Sequence, residues 1–477
     1  MLSRLKTRPV LATVGAALAG SAVPHRNRHV VEVCVKRLLY SLMVVLFAVN
    51  GALAGPPPAY FVDPAKLPFA ELPGLPSQRL WGIHNGAGYR IEVPANWNRA
   101  LVLWARDYRG TGLELTVDNH PLRQFLLANG YAWAASSYSR NGYDPAQGAK
   151  DMHALASFFN GRFGRPRVTY LTGASMGGHV VAVMAEQWPQ SYGGALPVCG
   201  VLGDYELFDF FLDFNLAAQT LSGVGKEFPF EPDYLTATVP QTKAALGPAF
   251  PFALNAQGAA FKSLVQLRSG GVRPVFDQGF LFWNAVAGDF LFERGVGDGT
   301  LPRQPGVALQ NVDVEYQFDT NPALSPAESA FNAAIQRVTA DPQARHADGL
   351  ANVAPTTGNL RIPMLTLHTL GDLYVPFLME QVYAQRVQAH GASDLLVQRA
   401  TRDYGHCAFT GPELVQAFTD LVTWVEAGVK PAGDNVLDPS VVEAPDFGCA
   451  FTDKISPRQW DLVPALAFLK PPSCPAP

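Results

Sequence analysis

Seven short segments, each nearly continuous in apolar residues, alternate along the chain with segments of helical character. They are residues 89–93, 100–104, 131–136, 167–171, 195–199, 362–368 and 395–399. Strands that are covered on both faces have such runs, whereas strands with one wet face alternate between apolar and polar residues. Strands and helices in turn predict an α/β fold with a mostly parallel, doubly covered sheet.

Helix boundaries are marked by capping residues. Residues 122–130 form an apolar-periodic segment that ends in glycine, and Asp144 precedes Pro145 as an N-cap with proline at the first helical position. Residues 413–427 carry apolar side chains at helical spacing, and Gly428 follows as a stop. Each of these segments is therefore predicted to be a helix.

One interval interrupts the alternation. Residues 204–359 are rich in aromatics, as in "FDQGFLFWNAVAGDFLFE", and lack clear strand periodicity. Such a length is too great for a loop, so we expect a mainly helical cap inserted into the sheet domain. The predicted division is a core of residues 55–203 and 360–430, the cap, and a C-terminal extension of residues 431–477.

Composition limits the class of protein. The chain has 477 residues, of which 48% are hydrophobic and 16% charged, so it can bury a large core. Residues 1–54 hold seven Lys and Arg against one acidic residue, Glu32, and their removal would take the formal net charge from −4 to −10. This charge argues against a nucleic acid or an anionic membrane surface as partner.

The N-terminal segment resembles an export signal. Lys36 and Arg37 precede the apolar run 38–49, and residues 52–54 supply the small side chains that signal peptidase accepts. The run is too short to span a bilayer comfortably. We therefore predict a leader over residues 1–54, a mature chain that begins at Gly55 without a stable membrane span, and a periplasmic or secreted location.

This signal pattern begins about 35 residues into the chain, after a weaker signal-like stretch, "RLKTRPVLATVGAALAG". One interpretation is that translation starts further downstream, at Val33 or Val35. The alternative is an uncleaved anchor.

Cleavage after residue 54 would remove Cys34 and leave Cys199, Cys407, Cys449 and Cys474. An even number of cysteines in an exported chain predicts disulfides, although four cysteines allow three pairings. Proximity in the chain favours Cys407 or Cys474 as the partner of Cys449. The alternative is four free, buried thiols.

The stretch "VTYLTGASMGGHV" contains the pattern G-x-S-x-G, centred on Ser175 between a predicted strand and a helix over residues 176–187. A serine in a sharp strand-to-helix turn projects its hydroxyl group, and the flanking Gly173 and Gly177 let strand and helix approach closely. The amide of Met176, at the helix N-terminus, is a candidate oxyanion donor. A purely structural turn is the alternative.

A serine hydroxyl needs a base and an orienting acid to act as a nucleophile. In folds of this kind the order along the chain is Ser, Asp, His, with the last two placed at the ends of later strands. Asp372 follows the strand in "IPMLTLHTLGDLYVP", and His406 lies between the last predicted strand and the last helix, in "RDYGHCAFTGPELV". Both residues occupy the expected places.

Other residues compete for these roles. His368 lies four residues before Asp372, Asp204 follows the 195–199 strand, and Asp403 is too close in the chain to His406 to be its usual partner. Five further histidines fall in the leader or within helical segments: His25, His29, His153, His179 and His390.

A second oxyanion donor is expected in the turn after an early strand. "ARDYRGTG", residues 105–112, follows such a strand and contains glycines that expose the backbone. The amide of Tyr108 is the first candidate and that of Asp107 the second.

With these residues in place, the chain resembles an α/β-hydrolase, and more narrowly an exported bacterial serine esterase with a capped active site. The similarity spans residues 81–428 apart from the cap, and its specific motifs are "GASMGG", "GDLYVP", "YGHCAFT" and "RDYRGTG". It implies a Ser175–His406–Asp372 triad and no metal or organic cofactor. Many members have His-Gly where this chain has Arg106-Asp107, which would bring a carboxylate near the oxyanion.

The predicted function is hydrolysis of small-molecule or polymeric carboxylic esters through an acyl-enzyme. The cap aromatics suggest an apolar pocket, but packing within the cap explains them as well. The alternatives are a serine peptidase of the prolyl-oligopeptidase-like type, an acyltransferase that uses the same residues, and a non-catalytic binding protein that has kept the fold.

Overall fold

The computed structural model describes residues 59–225, 228–294, 307–345 and 353–475. The predicted leader and Cys34 lie outside these residues. None of the helices described in these ranges combines the length and the apolar character needed to span a bilayer.

Eight strands form one sheet in the order β1-β2-β4-β3-β5-β6-β7-β8. Strand β2 pairs antiparallel with β1 and β4, and all other neighbours are parallel. The strands are β1 (Ser77–His84), β2 (Ala87–Pro94), β3 (Ala100–Ala105), β4 (Ala132–Ser136), β5 (Val168–Ala174), β6 (Gly194–Val198), β7 (Met364–Thr369) and β8 (Leu396–Thr401).

The helices outside the interval between β6 and β7 are α1 (Arg123–Ala128), α2 (Pro145–Phe163), α3 (Met176–Gln187), α10 (Leu378–Ala389), α11 (Gly411–Ala427), α12 (Pro439–Val442) and α13 (Gln459–Leu462). Helices between β6 and β7 are α4 (Glu206–Ser222), α5 (Val239–Leu246), α6 (Ala256–Arg268), α7 (Phe276–Leu281), α8 (Phe290–Glu293) and α9 (Pro326–Ala334). Within the described residues of that interval no strand forms, as its composition predicts.

Helices cover both faces of the sheet. Leu171 of β5 belongs to a core that contains Val180 of α3, whereas its neighbour Tyr170 belongs to the opposite core, with Phe418 of α11. Successive side chains of a strand point to opposite faces, so both must be apolar when both faces are covered. The predicted α/β class with a mostly parallel, doubly covered sheet is confirmed.

All seven predicted strands are present, with ends that differ by up to three residues. Strand β1 was not predicted, because it is a half-exposed edge strand without a continuous apolar run. The helical segment predicted around His390 corresponds to α10, which ends at Ala389 with His390 as its C-cap.

The predicted caps form. The Asp144 side chain accepts a hydrogen bond from the backbone of Gln147, 3.1 Å away, and Gly428 ends α11 with a φ of +71°. Helix α11 begins two residues earlier than predicted, because the Thr410 side chain and Glu413 form a capping box ahead of it.

Candidate active site

Ser175 lies in a sharp turn between β5 and α3. Its backbone has φ +57° and ψ −122°, a conformation that is strained for a residue other than glycine. A Cβ atom on Gly173 would overlap the carbonyl of Gly177, and one on Gly177 would overlap the carbonyl of Ala105. The two glycines therefore permit the close approach of strand and helix that the sequence predicts. Gly177 also lets the end of β3 come close, which the sequence did not indicate.

Asp372 and His406 are in direct contact. Oδ2 of Asp372 lies 2.5 Å from Nδ1 of His406. The other carboxylate oxygen, Oδ1, accepts hydrogen bonds from the backbone of Tyr374 and Val375, at 2.8 and 3.0 Å. Asp372 is fully buried in the turn after β7, and His406 lies in the loop between β8 and α11. The carboxylate is thus held by three donors, of which one is the imidazole.

The competing residues have other partners. Asp204 Oδ2 lies 2.5 Å from the guanidinium of Arg386, and Asp403 Oδ2 lies 2.9 Å from that of Arg458. Burial nevertheless raises the pKa of Asp403 to about 6. His368 is fully buried, with Nε2 at 2.8 Å from the carbonyl of Val375.

His179 lies one helical turn beyond Ser175 and is fully buried. Its Nδ1 is 2.9 Å from the hydroxyl of Tyr143, and its Nε2 is 2.8 Å from the carbonyl of Ala354. Burial lowers its pKa to about 4, so the ring is neutral at physiological pH. Both nitrogens are occupied, as expected of a packing residue under the turn.

The two predicted oxyanion donors belong to different segments, and Met176 directly follows Ser175. Met176 is the first residue of α3, where backbone N–H groups lack acceptors within the helix. Tyr108 belongs to the turn that follows β3, and the start of that turn packs against Gly177 at the carbonyls of Ala105 and Arg106.

The Arg106-Asp107 pair does not leave an unpaired carboxylate in this turn. The buried Arg106 side chain donates to the carbonyl of Ser137 at 2.8 Å and to Oδ1 of Asn141 at 2.9 Å. The Asp107 carboxylate is bound by Arg109, with Oδ1 at 2.8 Å from Nε. An adjacent guanidinium therefore offsets the charge of the Asp107 carboxylate.

Two disulfides form, Cys199–Cys407 and Cys449–Cys474. Chain proximity had left Cys474 as one of two partners for Cys449, and that pair is found. It gave no indication that Cys199 would reach Cys407, which is 208 residues away. The Cys407 sulfur lies 3.4 Å from Nε2 of His406, so this disulfide is part of the site.

Tyr374 lies between His406 and a group of aromatic side chains from the interval between β6 and β7. The Tyr374 ring meets that of His406 edge to face, with ring centres 4.9 Å apart. Phe290 lies 4.7 Å, Trp283 6.1 Å and Phe211 6.2 Å from Tyr374 between ring centres. Aromatic side chains of this interval therefore pack against the turn after β7, which holds Asp372.

The C-terminal segment contributes an arginine that the sequence did not reveal. Arg458 donates to Asp403 and to Glu413, and its Nη1 also lies 3.1 Å from the carbonyl of Ala408. It thereby joins both sides of the loop that holds His406. A single arginine in a segment without periodicity carries no signal of such partners.

Among the described residues, one group of three side chains has the geometry to bind a metal: Cys199, His406 and Cys407. Both sulfurs are bonded to each other in the disulfide, which leaves the imidazole as the one available ligand.

Comparisons with known proteins add a distant relative. No family model matches the chain. The o-phthalyl amidase of Xanthobacter agilis is 21% identical over 426 residues, which are 78% of this chain and 92% of that protein.

Two solved structures are similar at lower identity. Feruloyl esterase B from Aspergillus oryzae has 14% identity and a TM-score of 0.45, over 81% of this chain and 89% of its own. Pyrococcus horikoshii acylaminoacyl peptidase has 10% identity and a TM-score of 0.38, over 76% of this chain and 43% of its own.

The sheet order, the antiparallel β2 and the serine turn between β5 and α3 are those of the α/β-hydrolase fold.

Proposed function

We propose that this chain is a serine hydrolase that cleaves carboxylic esters through Ser175, His406 and Asp372. The observation that carries the proposal is the 2.5 Å contact between Asp372 and His406. These two residues follow β7 and β8, and the turn that holds Ser175 follows β5 of the same sheet. The order of the three residues along the chain supports the same assignment.

In the proposed mechanism His406 Nε2 takes the proton from the Ser175 hydroxyl as the oxygen attacks the ester carbonyl. The carbonyl oxygen becomes an oxyanion, which the backbone amides of Met176 and Tyr108 stabilise. His406 then protonates the departing alcohol, and an acyl group remains on Ser175. Water, activated by the same histidine, releases the acid.

Asp372 fixes the histidine in the tautomer that this reaction needs. An acceptor at Nδ1 keeps the proton on that nitrogen and leaves Nε2 free to accept another. The carboxylate also stabilises the imidazolium that forms during proton transfer. Its two backbone hydrogen bonds hold it in place without neutralising it.

Amide hydrolysis is the second candidate, favoured by the similarity to an o-phthalyl amidase that spans 92% of that protein. The same three residues serve an amide, with an amine instead of an alcohol as leaving group. Peptidase activity and acyl transfer to an acceptor other than water use this chemistry too.

We also propose that the protein acts outside the cytoplasm, in the periplasm or after secretion. Two disulfides support this location, since oxidising compartments form and retain such bonds. The signal-like sequence at residues 38–54 agrees with it.

A substrate panel tests the activity. Wild type and Ser175→Ala are assayed with p-nitrophenyl esters of increasing acyl length, with the corresponding anilides and with aminoacyl-p-nitroanilides. We expect ester turnover by the wild type that Ser175→Ala lacks. Turnover of anilides without that of esters would favour the amidase or peptidase, and turnover retained by Ser175→Ala would refute the nucleophile.

Labelling with a fluorophosphonate tests the binding-protein alternative. Such a probe bonds covalently to an activated serine, so wild type should label at Ser175 under native conditions. Absence of labelling in folded protein would favour a chain that has kept the fold without catalysis.

A further inference from the structure

An apolar cavity of about 190 Å³ lies on the sheet face covered by α11, at the ends of β3, β5 and β6. Six apolar side chains line most of it: Trp104, Leu122, Leu196, Val198, Phe409 and Leu414. Leu196 and Val198 belong to β6, so the sheet itself forms one wall.

The cavity adjoins the residues assigned to catalysis. Ala174 and Cys407 line it, and they are the chain neighbours of Ser175 and His406. The Cys407 sulfur is the same atom that lies 3.4 Å from Nε2 of His406. Tyr374, by contrast, joins His406 to the aromatics between β6 and β7. The cavity is therefore separate from that aromatic cluster, although Cys407, which lines it, lies beside the same histidine.

His120 and Thr172 also line the cavity, and their side chains are hydrogen-bonded to each other and to the backbone. The backbone N–H of Leu122 donates to His120 Nδ1 at 3.0 Å, so the His120 proton is on Nε2. Nε2 donates to the Thr172 hydroxyl at 2.9 Å, which donates to the carbonyl of Leu103 at 2.7 Å. Neither of these two side chains therefore has a donor left for a ligand, and none of the residues that line the cavity carries a charge.

Size restricts what can fill it. An apolar protein cavity of about 150 Å³ accommodates benzene, so this space fits one aromatic ring with a short linker. The rings of Trp104 and Phe409 in the wall suit edge-to-face contacts with such a ring. A charge at the far end of the ring would be buried without a partner, which is costly.

A pocket walled by the sheet suits the acyl half of a substrate. The acyl group stays bonded to the serine through both steps of the reaction, whereas the leaving group must depart after the first. A ring held against the fixed wall of the sheet can stay bound while the leaving group departs.

We propose that this cavity binds the uncharged aromatic ring of the acyl group, as in benzoyl or cinnamoyl esters or amides. The inference rests on the proposed function, since it takes Ser175 as the residue that carries the acyl group. It names the acid side of the substrate and places the ring between β6 and α11.

Filling the pocket tests the inference. Leu414→Trp extends a half-buried wall residue into the space, and Leu462→Trp makes the same change at a side chain that is 66% exposed. The measured quantity is the ratio of kcat/KM for p-nitrophenyl benzoate to that for p-nitrophenyl acetate. We expect Leu414→Trp to lower this ratio by at least about tenfold, and Leu462→Trp to leave it unchanged.

The ratio is read on protein whose thermal unfolding shows that it is folded. An unchanged ratio in Leu414→Trp would overturn the inference, whether or not both rates fall together. A wild type that turns over p-nitrophenyl 4-carboxybenzoate as well as the unsubstituted benzoate would also overturn it, because the cavity has no group to pair with that charge.

Exchanging the two halves of the ester separates the acyl side from the alcohol side. Ethyl benzoate carries the ring on the acid and phenyl acetate on the alcohol, with ethyl acetate as reference. Leu414→Trp should lower turnover of ethyl benzoate selectively. A selective loss with phenyl acetate would assign the cavity to the leaving group and contradict the proposal.

Binding of benzoate, a product of the expected reaction, keeps this inference separate from the catalytic one. Calorimetry with Ser175→Ala should detect benzoate binding, which Leu414→Trp in the same background removes. Turnover of esters by the wild type without benzoate binding would refute the pocket and leave the proposed function standing. Binding without any turnover would refute the function and keep the pocket.

Discussion

The sulfur of Cys407 lies 3.4 Å from Nε2 of His406, and its bonded partner Cys199 follows β6 directly. Val198 of β6 pairs in the sheet with Ala174, so Cys199 and Ser175 are equivalent residues beyond two neighbouring strands. Both cysteines have left-handed backbone conformations, with φ of +44° and +54°. The disulfide thus connects the histidine loop to the strand beside the serine turn.

Removal of this disulfide should reduce activity as well as stability. For Cys199→Ala/Cys407→Ala we expect about 5 kcal/mol lower free energy of unfolding, from the long loop that the bond closes. Loss of the tie beside His406 should lower kcat by about 10². Urea denaturation and p-nitrophenyl ester kinetics measure the two effects.

The second disulfide provides the matched control. Cys449–Cys474 closes a loop of 25 residues, so Cys449→Ala/Cys474→Ala should lose about 3 kcal/mol. Its kcat should stay at the wild-type value in folded protein. Equal losses of kcat in the two double variants would contradict a specific role for Cys407 beside the histidine.

Replacement of the orienting acid should affect kcat far more than stability. Asp372→Asn should lower kcat by about 10³ to 10⁴, because an amide can donate to Nδ1 and so favours the wrong imidazole tautomer. Asp204→Asn, which changes the competing acid that pairs with Arg386, should leave kcat within a few-fold. Steady-state kinetics on both variants test this expectation. A larger loss of kcat in Asp204→Asn than in Asp372→Asn would make Asp204 the orienting acid.

Arg458 should be important for stability because its two carboxylate partners are buried. Asp403 and Glu413 have side chains that are 6% and 1% exposed, and Arg458→Met leaves both without a cation. We expect a loss of about 3 to 5 kcal/mol in the free energy of unfolding. Lys470→Met removes an exposed pair with Asp461 and should cause no measurable change. Denaturant titrations of the two variants provide the comparison.

Two buried histidines should make the fold sensitive to acid. Burial lowers the pKa of His120 to about 3 and that of His179 to about 4, below the usual histidine value of 6.5. Below pH 6.5 the unfolded chain binds protons that the folded chain does not. The stability from each neutral histidine is therefore present above pH 6.5 and is lost as the pH falls through the window towards 4.

Each histidine should contribute a slope of about 1.4 kcal/mol per pH unit in this window. Urea denaturation between pH 4.5 and 7.5 on wild type and His120→Gln tests the sign and size of the difference. His390→Gln, at an exposed position, is the control and should keep the wild-type slope. If His120→Gln keeps the wild-type slope, His120 does not contribute to the pH dependence of the free energy of unfolding.

Local sequence was sufficient for much of the sheet and for the order of the candidate site. Continuous apolar runs identify strands β2 to β8, because burial on both faces removes any need for polar residues. The turn around Ser175 was predictable because a side chain on either flanking glycine would overlap neighbouring backbone, so the requirement is visible in the local sequence. Asp372 and His406 could be proposed because each follows a recognisable strand.

Features that depend on distant residues could not be predicted in this way. Cys199 and Cys407 are 208 residues apart, and no local pattern relates them. The role of Arg458 depends on its ion pairs with Asp403 and Glu413, which form only when the C-terminal segment folds against them. The cavity beside Ala174 is lined by five separate segments, and none of them has a sequence pattern that predicts it.

The Cys199–Cys407 bond encloses residues 200–406 in a covalent ring, which includes all of helices α4 to α10 and the last two strands. A protease that cuts once within this ring leaves a molecule whose pieces cannot separate until the bond is reduced. Nicking of the helical interval would therefore be invisible on a non-reducing gel, and both ends of the broken chain would stay attached next to the histidine. In an environment rich in proteases, the protein can lose the continuity of its backbone and still remain a single molecule.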